Sequence, residues 1–141
     1  MILLDTDHFS VLVQPHSSHA APWIARLEAS PDQGIGVTIV TVEEAFRGWM
    51  SELNRLRDAR DQISADDRLA LLVEFLASWQ IVRFDLPAAD AFHRLKGERI
   101  RIGTQDLKIA AMALAQEALL LSANLRDFEQ VPGLRVENWL D

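Results

Sequence analysis

The stretch TQDLKIAAMALAQEALLLS, residues 104–122, joins an alanine-rich segment to a short run of leucines. Leu119, Leu120 and Leu121 are apolar on both sides of a pleat, which indicates a strand buried on both of its faces. The alanines before them allow a helix to lie close against a sheet. This combination is typical of a parallel α/β sheet that is covered by helices.

Strand-like and helix-like segments alternate along the rest of the chain, without an internal repeat. Strands are predicted at 1–5, 35–40, 81–84, 119–122 and 134–136, helices at 7–13, 22–29, 42–57, 65–78, 87–99, 104–117 and 125–130, and a loop at 14–19. The alternation predicts a three-layer α/β/α sandwich with a central, mostly parallel sheet of four to five strands. No linker suggests a second domain, so residues 1–141 are expected to form one domain.

Two of the predicted helices have clear candidates for the capping residue at their start. The cluster Ser64-Ala65-Asp66-Asp67 is predicted to cap the helix at 65–78, because serine and aspartate oxygens accept hydrogen bonds from free backbone amides. Thr104 is predicted to cap the alanine-rich helix in the same way. Both predictions concern helix boundaries that the structure can test.

Composition excludes several classes of protein. The net charge of −7 argues against a passive nucleic-acid coat protein, which would be basic, but not against a nuclease. The chain has no cysteine, which excludes disulfides and thiolate metal sites. Neither a secretory signal nor an apolar run of about 18 residues is present, so we expect a cytoplasmic protein with no membrane contact.

Four acidic residues stand at strand ends or helix starts: Asp5, Glu44, Asp106 and Asp127. The C-terminal ends of parallel strands gather on one edge of a sheet, where ligands bind, so these carboxylates are predicted to meet there. Carboxylates in one pocket repel one another unless a cation or a proton intervenes. Oxygen ligands suit Mg²⁺ or Mn²⁺, and the pattern predicts a divalent-cation site that acts on phosphate.

Each acid also has a purely structural alternative. Thr41 and Glu44 match a capping box, and Asp5 could cap the helix that follows it. Asp106 would be favoured in a first helical turn by the helix dipole, and residues 124–127 contain another capping pattern. Serine or threonine would cap equally well, however, so caps alone do not account for four acids.

Four motifs occur in order along nearly the whole chain. They are Leu3-Leu4-Asp5-Thr6-Asp7, then Val40-Thr41-Val42-Glu43-Glu44 with Arg47-Gly48, then Ile102-Gly103-Thr104-Gln105-Asp106-Leu107-Lys108-Ile109-Ala110-Ala111, and an ending that begins Ser122-Ala123-Asn124-Leu125-Arg126-Asp127-Phe128. Together they resemble a PIN-domain ribonuclease, in particular the toxin of a VapBC-type toxin–antitoxin pair. The first motif departs from its usual form, because Asp7 stands where asparagine is common.

The resemblance implies a function for the acids. Asp5, Glu44 and Asp106 would hold Mg²⁺ or Mn²⁺, which would activate water to cleave single-stranded or loop RNA. A neutralising antitoxin protein and a homodimer are also implied by the family. With Asp127, these three acids form the predicted catalytic set.

The fourth position of the family motif is divided between two residues here. Asn124 would position a water molecule, and Asp127 would take an outer-shell role or serve a second metal ion. Ser122 stands where threonine is common and could hydrogen-bond a ligand carboxylate. These three roles are implied by the resemblance.

Two other functions are compatible with parts of the sequence. Asp5-Thr6-Asp7 is similar to the double-aspartate start of haloacid-dehalogenase-like phosphatases, but Phe9 stands where threonine or valine is usual. A catalytically inactive PIN module that only binds a protein partner is the second alternative. The retained acids argue against it, although sequence alone does not demonstrate turnover.

Overall fold

The computed structural model describes residues 1–13, 20–31 and 34–140, and the predicted loop at 14–19 lies outside them. The strands are β1 (Ile2–Leu4), β2 (Ile35–Thr38), β3 (Gln80–Val82), β4 (Leu119–Leu121) and β5 (Arg135–Glu137). The helices are α1 (Thr6–Val13), α2 (Ala20–Glu28), α3 (Ile39–Arg55), α4 (Ala59–Ala77), α5 (Leu86–Gly97), α6 (Thr104–Ala115) and α7 (Leu125–Phe128). All the predicted elements are present, with boundaries that differ by a few residues in most cases.

The five strands form one sheet in the order β3-β2-β1-β4-β5, and every neighbouring pair is parallel. Helices cover both faces, so the predicted three-layer sandwich is confirmed. The chain adds β2 and β3 on one side of β1 and β4 and β5 on the other. The strand order therefore reverses between β1 and β4, which is where open parallel sheets form their ligand crevice.

Side chains of β1 and β4 alternate between two apolar clusters, one on each face of the sheet. Leu3 and Leu120 join the cluster formed with α5 and α6, and Leu4 and Leu121 join the opposite cluster. All four leucines are fully buried. Burial of one such side chain stabilises the fold by roughly 1.5–3 kcal/mol. The two strands therefore hold fixed positions in the sheet, and so do Asp5 and Ser122, which follow them directly.

The predicted strand at 35–40 is too long at its C-terminal end. Thr38 is the last residue of β2 and also caps α3, which begins at Ile39. The Thr38 hydroxyl oxygen accepts a hydrogen bond of 3.2 Å from the Thr41 amide. The predicted capping box of Thr41 with Glu44 is therefore wrong, because both residues already lie inside the helix.

The predicted start of the fourth helix is also wrong. The helix begins at Ala59 rather than at residue 65, so the cluster at 64–67 lies within it. Asp58 provides the cap instead, since one of its carboxylate oxygens accepts a hydrogen bond of 2.9 Å from the Arg60 amide. An earlier acidic cap took precedence over a cluster of good capping residues.

The ends of α6 differ from the prediction as well. Its N-cap residue is Gly103, and no side chain caps the helix start, so the predicted cap by Thr104 is wrong. The helix ends at Ala115 rather than at residue 117. Glu117 has a φ of 51°, a left-handed conformation that ends the helix and turns the chain into β4. In the described residues, no helix is both long and apolar enough to cross a membrane.

Candidate active site

Asp5 lies at the C-terminal end of β1, where the strand gives way to α1. Its side chain is only 7% exposed. One carboxylate oxygen accepts a hydrogen bond of 2.8 Å from the Thr6 amide, and the other accepts one of 2.8 Å from the Ser122 hydroxyl. The Ser122 hydroxyl oxygen in turn accepts a hydrogen bond of 3.0 Å from the backbone amide of Asn124. The pairing of β1 with β4 thus brings the first and fourth motifs together.

Asp106 and Asp127 are linked through the side chain of Asn124. The side-chain amide nitrogen of Asn124 donates to an oxygen of Asp106 at 3.3 Å and to an oxygen of Asp127 at 3.1 Å. Asn124 occupies the N-cap position of α7, but its side chain makes no capping hydrogen bond. The capping alternative for residues 124–127 is therefore wrong, because this side chain bridges two carboxylates instead.

Glu44 reaches the same edge of the sheet from inside α3. One of its carboxylate oxygens accepts a hydrogen bond of 2.5 Å from the Thr6 hydroxyl. Thr6, the first residue of α1, therefore contacts both acids, since its backbone amide donates to Asp5 and its hydroxyl donates to Glu44. Sequence reasoning assigned Thr6 no role, and its position beside Asp5 in the first motif is the signal that could have revealed one.

The buried carboxyl of Asp5 carries a strongly shifted pKa. Burial raises the pKa of Asp5 from 3.8 to about 6, although the hydrogen bonds from Ser122 and Thr6 lower it. The negative charges of Asp7 and Asp106 raise it further. The ionised form of Asp5 is therefore costly in the protein alone, and a neighbouring positive charge would relieve that cost.

Asp106 is partly buried and lies among other carboxylates. Burial raises the pKa of Asp106, and the charges of Glu44 and then Asp127 raise it further. The hydrogen bond from Asn124 lowers this pKa, and the charge of Asp7 raises it. Acids from four separated segments therefore repel one another at this edge, which is the arrangement that the sequence predicted.

Asp7 has a different environment from the other acids. Burial raises its pKa, but hydrogen bonds from the His8 side chain and the Ala123 amide outweigh burial, and the pKa of Asp7 is lowered. The Ala123 amide donates to Asp7 at 2.9 Å. Asp7 thus joins the start of α1 to the loop that carries Ser122 and holds its charge without help from a cation.

His8 is fully buried beneath Asp7 and has hydrogen bonds on both ring nitrogens. Its Nε2 accepts from the Trp139 amide at 3.0 Å, so the proton of a neutral ring lies on Nδ1, which donates to Asp7 at 2.6 Å. The chain near its C-terminal end is thereby fixed against α1. Nothing in the sequence pattern pointed to this contact, since His8 and Trp139 are far apart in the chain.

The donor set fits a hard divalent cation by its chemistry. Asp5, Glu44 and Asp106 offer carboxylate oxygens, and two of the three have raised pKa values that a cation would lower. Among the described residues, no three or more His, Asp and Glu side chains are arranged so that they could already hold a metal ion together. Mg²⁺ usually takes one or two carboxylates and keeps several waters, so a site of this kind needs fewer direct ligands.

Comparison with known proteins places this chain in a family. The PIN domain family matches residues 2–134, which is most of the chain. The chain belongs to the PIN-domain family. The resemblance predicted from the four motifs is confirmed, and the haloacid-dehalogenase-like alternative is set aside.

Curated relatives of this PIN-domain chain carry the name VapC. It is 32% identical over 108 residues to Ribonuclease VapC2 of Haemophilus influenzae, and the match covers 74% of each chain. It is 29% identical over 85 residues to the tRNA(fMet)-specific endonuclease VapC of Salmonella typhimurium, a match that covers 57% of this chain and 64% of the relative. These relatives confirm the prediction that the chain is a VapC-type ribonuclease.

Solved structures share the PIN-domain fold over almost the full length. VapBC-1 from nontypeable Haemophilus influenzae has a TM-score of 0.77 at 18% identity, covering all of both chains. DNA-bound VapBC from Salmonella typhimurium has a TM-score of 0.75 at 22% identity, covering 98% of this chain and 97% of that one. At these identities the likeness concerns the fold, which agrees with the five-stranded parallel sheet described above.

Proposed function

We propose that this VapC-type ribonuclease hydrolyses RNA with a divalent cation, Mg²⁺ or Mn²⁺, held at the site of Asp5, Glu44 and Asp106, where one or two of the carboxylates would bind the ion directly and the rest would bind it through its waters. When bound, the cation supplies activation of water and stabilisation of the leaving oxygen of the phosphodiester. The observation that carries the proposal is the meeting of carboxylates from separate segments at one edge of the sheet, where burial first, and then repulsion by neighbouring acids, raise the pKa values of Asp5 and Asp106. A cation would convert that repulsion into binding energy.

The surrounding residues would orient the ligands. Ser122 fixes one oxygen of Asp5 by hydrogen bonding, and the Thr6 hydroxyl fixes one oxygen of Glu44. Each hydrogen bond restricts side-chain rotation and leaves the second oxygen of Glu44 available for a ligand role. Outer partners of this kind typically contribute about 10–100-fold to metal affinity or activity.

Asn124 and Asp127 would complete the site without joining the first set of ligands. The Asn124 amide nitrogen already faces Asp106 and Asp127, so its carbonyl oxygen is the part that can accept a hydrogen bond from a reacting water. Asp127 would lie in the outer shell or serve a second ion. Both roles keep the chemistry at the crevice between β1 and β4.

RNA is the proposed substrate, and the antitoxin is the proposed protein partner. The names Ribonuclease VapC2 and tRNA(fMet)-specific endonuclease VapC of the relatives support RNA cleavage. The VapBC designation of structures with the same fold supports a second protein that binds the toxin. We also propose a homodimer and a cytoplasmic location, as the family implies.

A cleavage assay with a charge-matched control tests the proposal. Single-stranded RNA is incubated with wild type, Asp106→Asn or Asp90→Asn in Mg²⁺, in Mn²⁺ and in excess chelator. Asp90 is exposed on α5, so its substitution makes the same chemical change away from the site. We expect Asp106→Asn to lose more than 100-fold in rate and chelator to stop wild type, with Asp90→Asn unaffected.

Cleavage by wild type in excess chelator would remove the metal mechanism. Equal rates for wild type and Asp106→Asn would remove the assignment of the site. If wild type binds its antitoxin but cleaves no RNA with either ion, the chain is an inactive binding module instead.

A further inference from the structure

A groove between α1, α3 and α4 opens beside the carboxylates. We propose that it binds the nucleobase next to the scissile phosphate and so selects which RNA sequence is cut. The inference rests on the proposed function, since it assumes that RNA is cleaved at Glu44 and Asp106. It adds a substrate subsite whose lining residues, apart from Glu44, hold no cation.

The groove is continuous with the candidate active site. Its volume is about 480 Å³, which lies within the range of small-molecule sites in proteins. Thr6 and Glu44, which share a hydrogen bond of 2.5 Å, line one end of it. Because Glu44 belongs both to the groove and to the proposed cation site, the base next to a phosphate that the cation would hold comes within reach of the groove.

The wall of the groove suits a flat, apolar ligand. Phe9 and Val13 of α1 and Leu72 of α4 line the groove, as does the half-buried indole of Trp49 from α3. Unstacked RNA bases bind proteins by stacking on aromatic rings and on arginine planes. The guanidinium of the exposed Arg68 lies over the Trp49 ring, 5.6 Å from its centre, so the plane that a base would stack on is the outer face of this guanidinium.

The charges of the groove also favour a nucleotide over a basic peptide. Glu52 lines the groove, but its carboxylate is paired with Arg55 through hydrogen bonds of 2.6 and 3.3 Å. Glu44 would be neutralised by the cation of the proposed site. The positive charge of Arg68 then remains. It would attract the phosphates of RNA and repel a basic peptide.

Gly48 provides a way to fill the groove without disturbing its walls. It lines the groove from α3, and a Cβ added there would meet no atom within 4 Å. Gly97, at the end of α5, is equally open but does not line the groove. Gly48→Leu and Gly97→Leu are therefore a matched pair, in which only the first adds a side chain to the groove.

The first test is cleavage of two RNA oligomers, one with natural bases and one with abasic nucleotides flanking the mapped cleavage site. We expect Gly48→Leu to lower kcat/KM for the natural RNA about fivefold or more, because stacking of one base contributes at least that much. We expect it to cleave the abasic RNA as fast as wild type does. Gly97→Leu should match wild type on both.

Three outcomes would overturn the nucleobase site. Wild-type rates for Gly48→Leu on natural RNA would show that no base enters the groove. Equal losses on natural and abasic RNA would show that the added side chain acts on the carboxylates instead. Unchanged RNA cleavage together with lost antitoxin binding would assign the groove to the protein partner.

A binding measurement separates this inference from the proposed function. Nucleoside 5′-monophosphates are titrated into wild type, Gly48→Leu and Gly97→Leu with Mg²⁺, and tryptophan fluorescence is followed. If wild type cleaves no RNA, the proposed function fails. The groove is still supported if a nucleotide quenches wild type and Gly97→Leu but binds Gly48→Leu at least tenfold more weakly, and it is overturned if all three respond alike.

Discussion

The hydroxyl of Ser122 donates a hydrogen bond of 2.8 Å to the carboxylate of Asp5, across a sequence separation of 117 residues. The contact exists because β1 and β4 are parallel neighbours, with Leu4 paired to Leu121 immediately before the two residues. Both side chains are buried. The register of two short apolar strands therefore determines the geometry of a polar site, and a shift of one residue would separate the pair.

Asp5→Asn should stabilise the metal-free protein at neutral and higher pH. The folded-state pKa of Asp5 is raised to about 6 from 3.8. The stability that this group contributes is therefore fully present below pH 3.8 and is lost as the pH rises through about 6. The difference corresponds to roughly 3 kcal/mol of unfolding free energy at pH 8, which the uncharged amide would recover.

Urea unfolding in chelator at pH 4 and pH 8 measures this effect. We expect Asp5→Asn to exceed wild type in unfolding free energy at pH 8 and to differ little at pH 4. Asp90→Asn serves as the control, since its carboxylate is exposed. A wild-type advantage at pH 8 would contradict the assigned cost of ionised Asp5.

Ser122→Ala should weaken the site and the fold together. The substitution removes the hydrogen bond to Asp5 and also the oxygen that accepts a hydrogen bond from the backbone amide of Asn124. We expect about 1–3 kcal/mol lower unfolding free energy, since buried polar groups lose their partners, and about 10–100-fold lower RNA cleavage. Ser122→Thr keeps the hydroxyl and should retain most of the activity. Equal losses for alanine and threonine would assign the effect to packing.

Asn124→Asp should make the protein more dependent on divalent cations. The side-chain nitrogen that bridges Asp106 and Asp127 becomes an oxygen, so two attractive contacts become repulsive. We expect a lower Tm in chelator and a larger rise in Tm on adding Mg²⁺ than for wild type, by linkage. Asn54→Asp makes the same change on the exposed surface of α3. The same Mg²⁺-induced rise in Tm for both variants would contradict the bridging role.

The fold was predictable because its strands are apolar and its helices separate them. Leu119, Leu120 and Leu121 are apolar regardless of face, and this single feature indicated a covered parallel sheet. The errors occurred at boundaries, where several residues compete to cap one helix. Asp58, and not the cluster at 64–67, caps α4. Thr38 is both the last residue of β2 and the cap of α3.

The site was predictable in its acids but not in their partners. Asp5 and Asp106 could be placed at one edge because strand ends and helix starts set their positions. The hydrogen bond from Thr6 to Glu44 and the contact of His8 with Trp139 depend on how side chains from distant segments meet. Local periodicity carries no information about such contacts, so they had to be observed.

Direct Mn²⁺ binding tests the central claim, that these carboxylates form a divalent-cation site. Free Mn²⁺ is measured by its paramagnetic resonance signal during titration of wild type, Glu44→Gln and Glu43→Gln, the last being an exposed neighbour on α3. We expect wild type and Glu43→Gln to bind Mn²⁺ alike and Glu44→Gln to bind it at least tenfold more weakly. Mn²⁺ binding that is absent in wild type, or identical in all three, would contradict the claim.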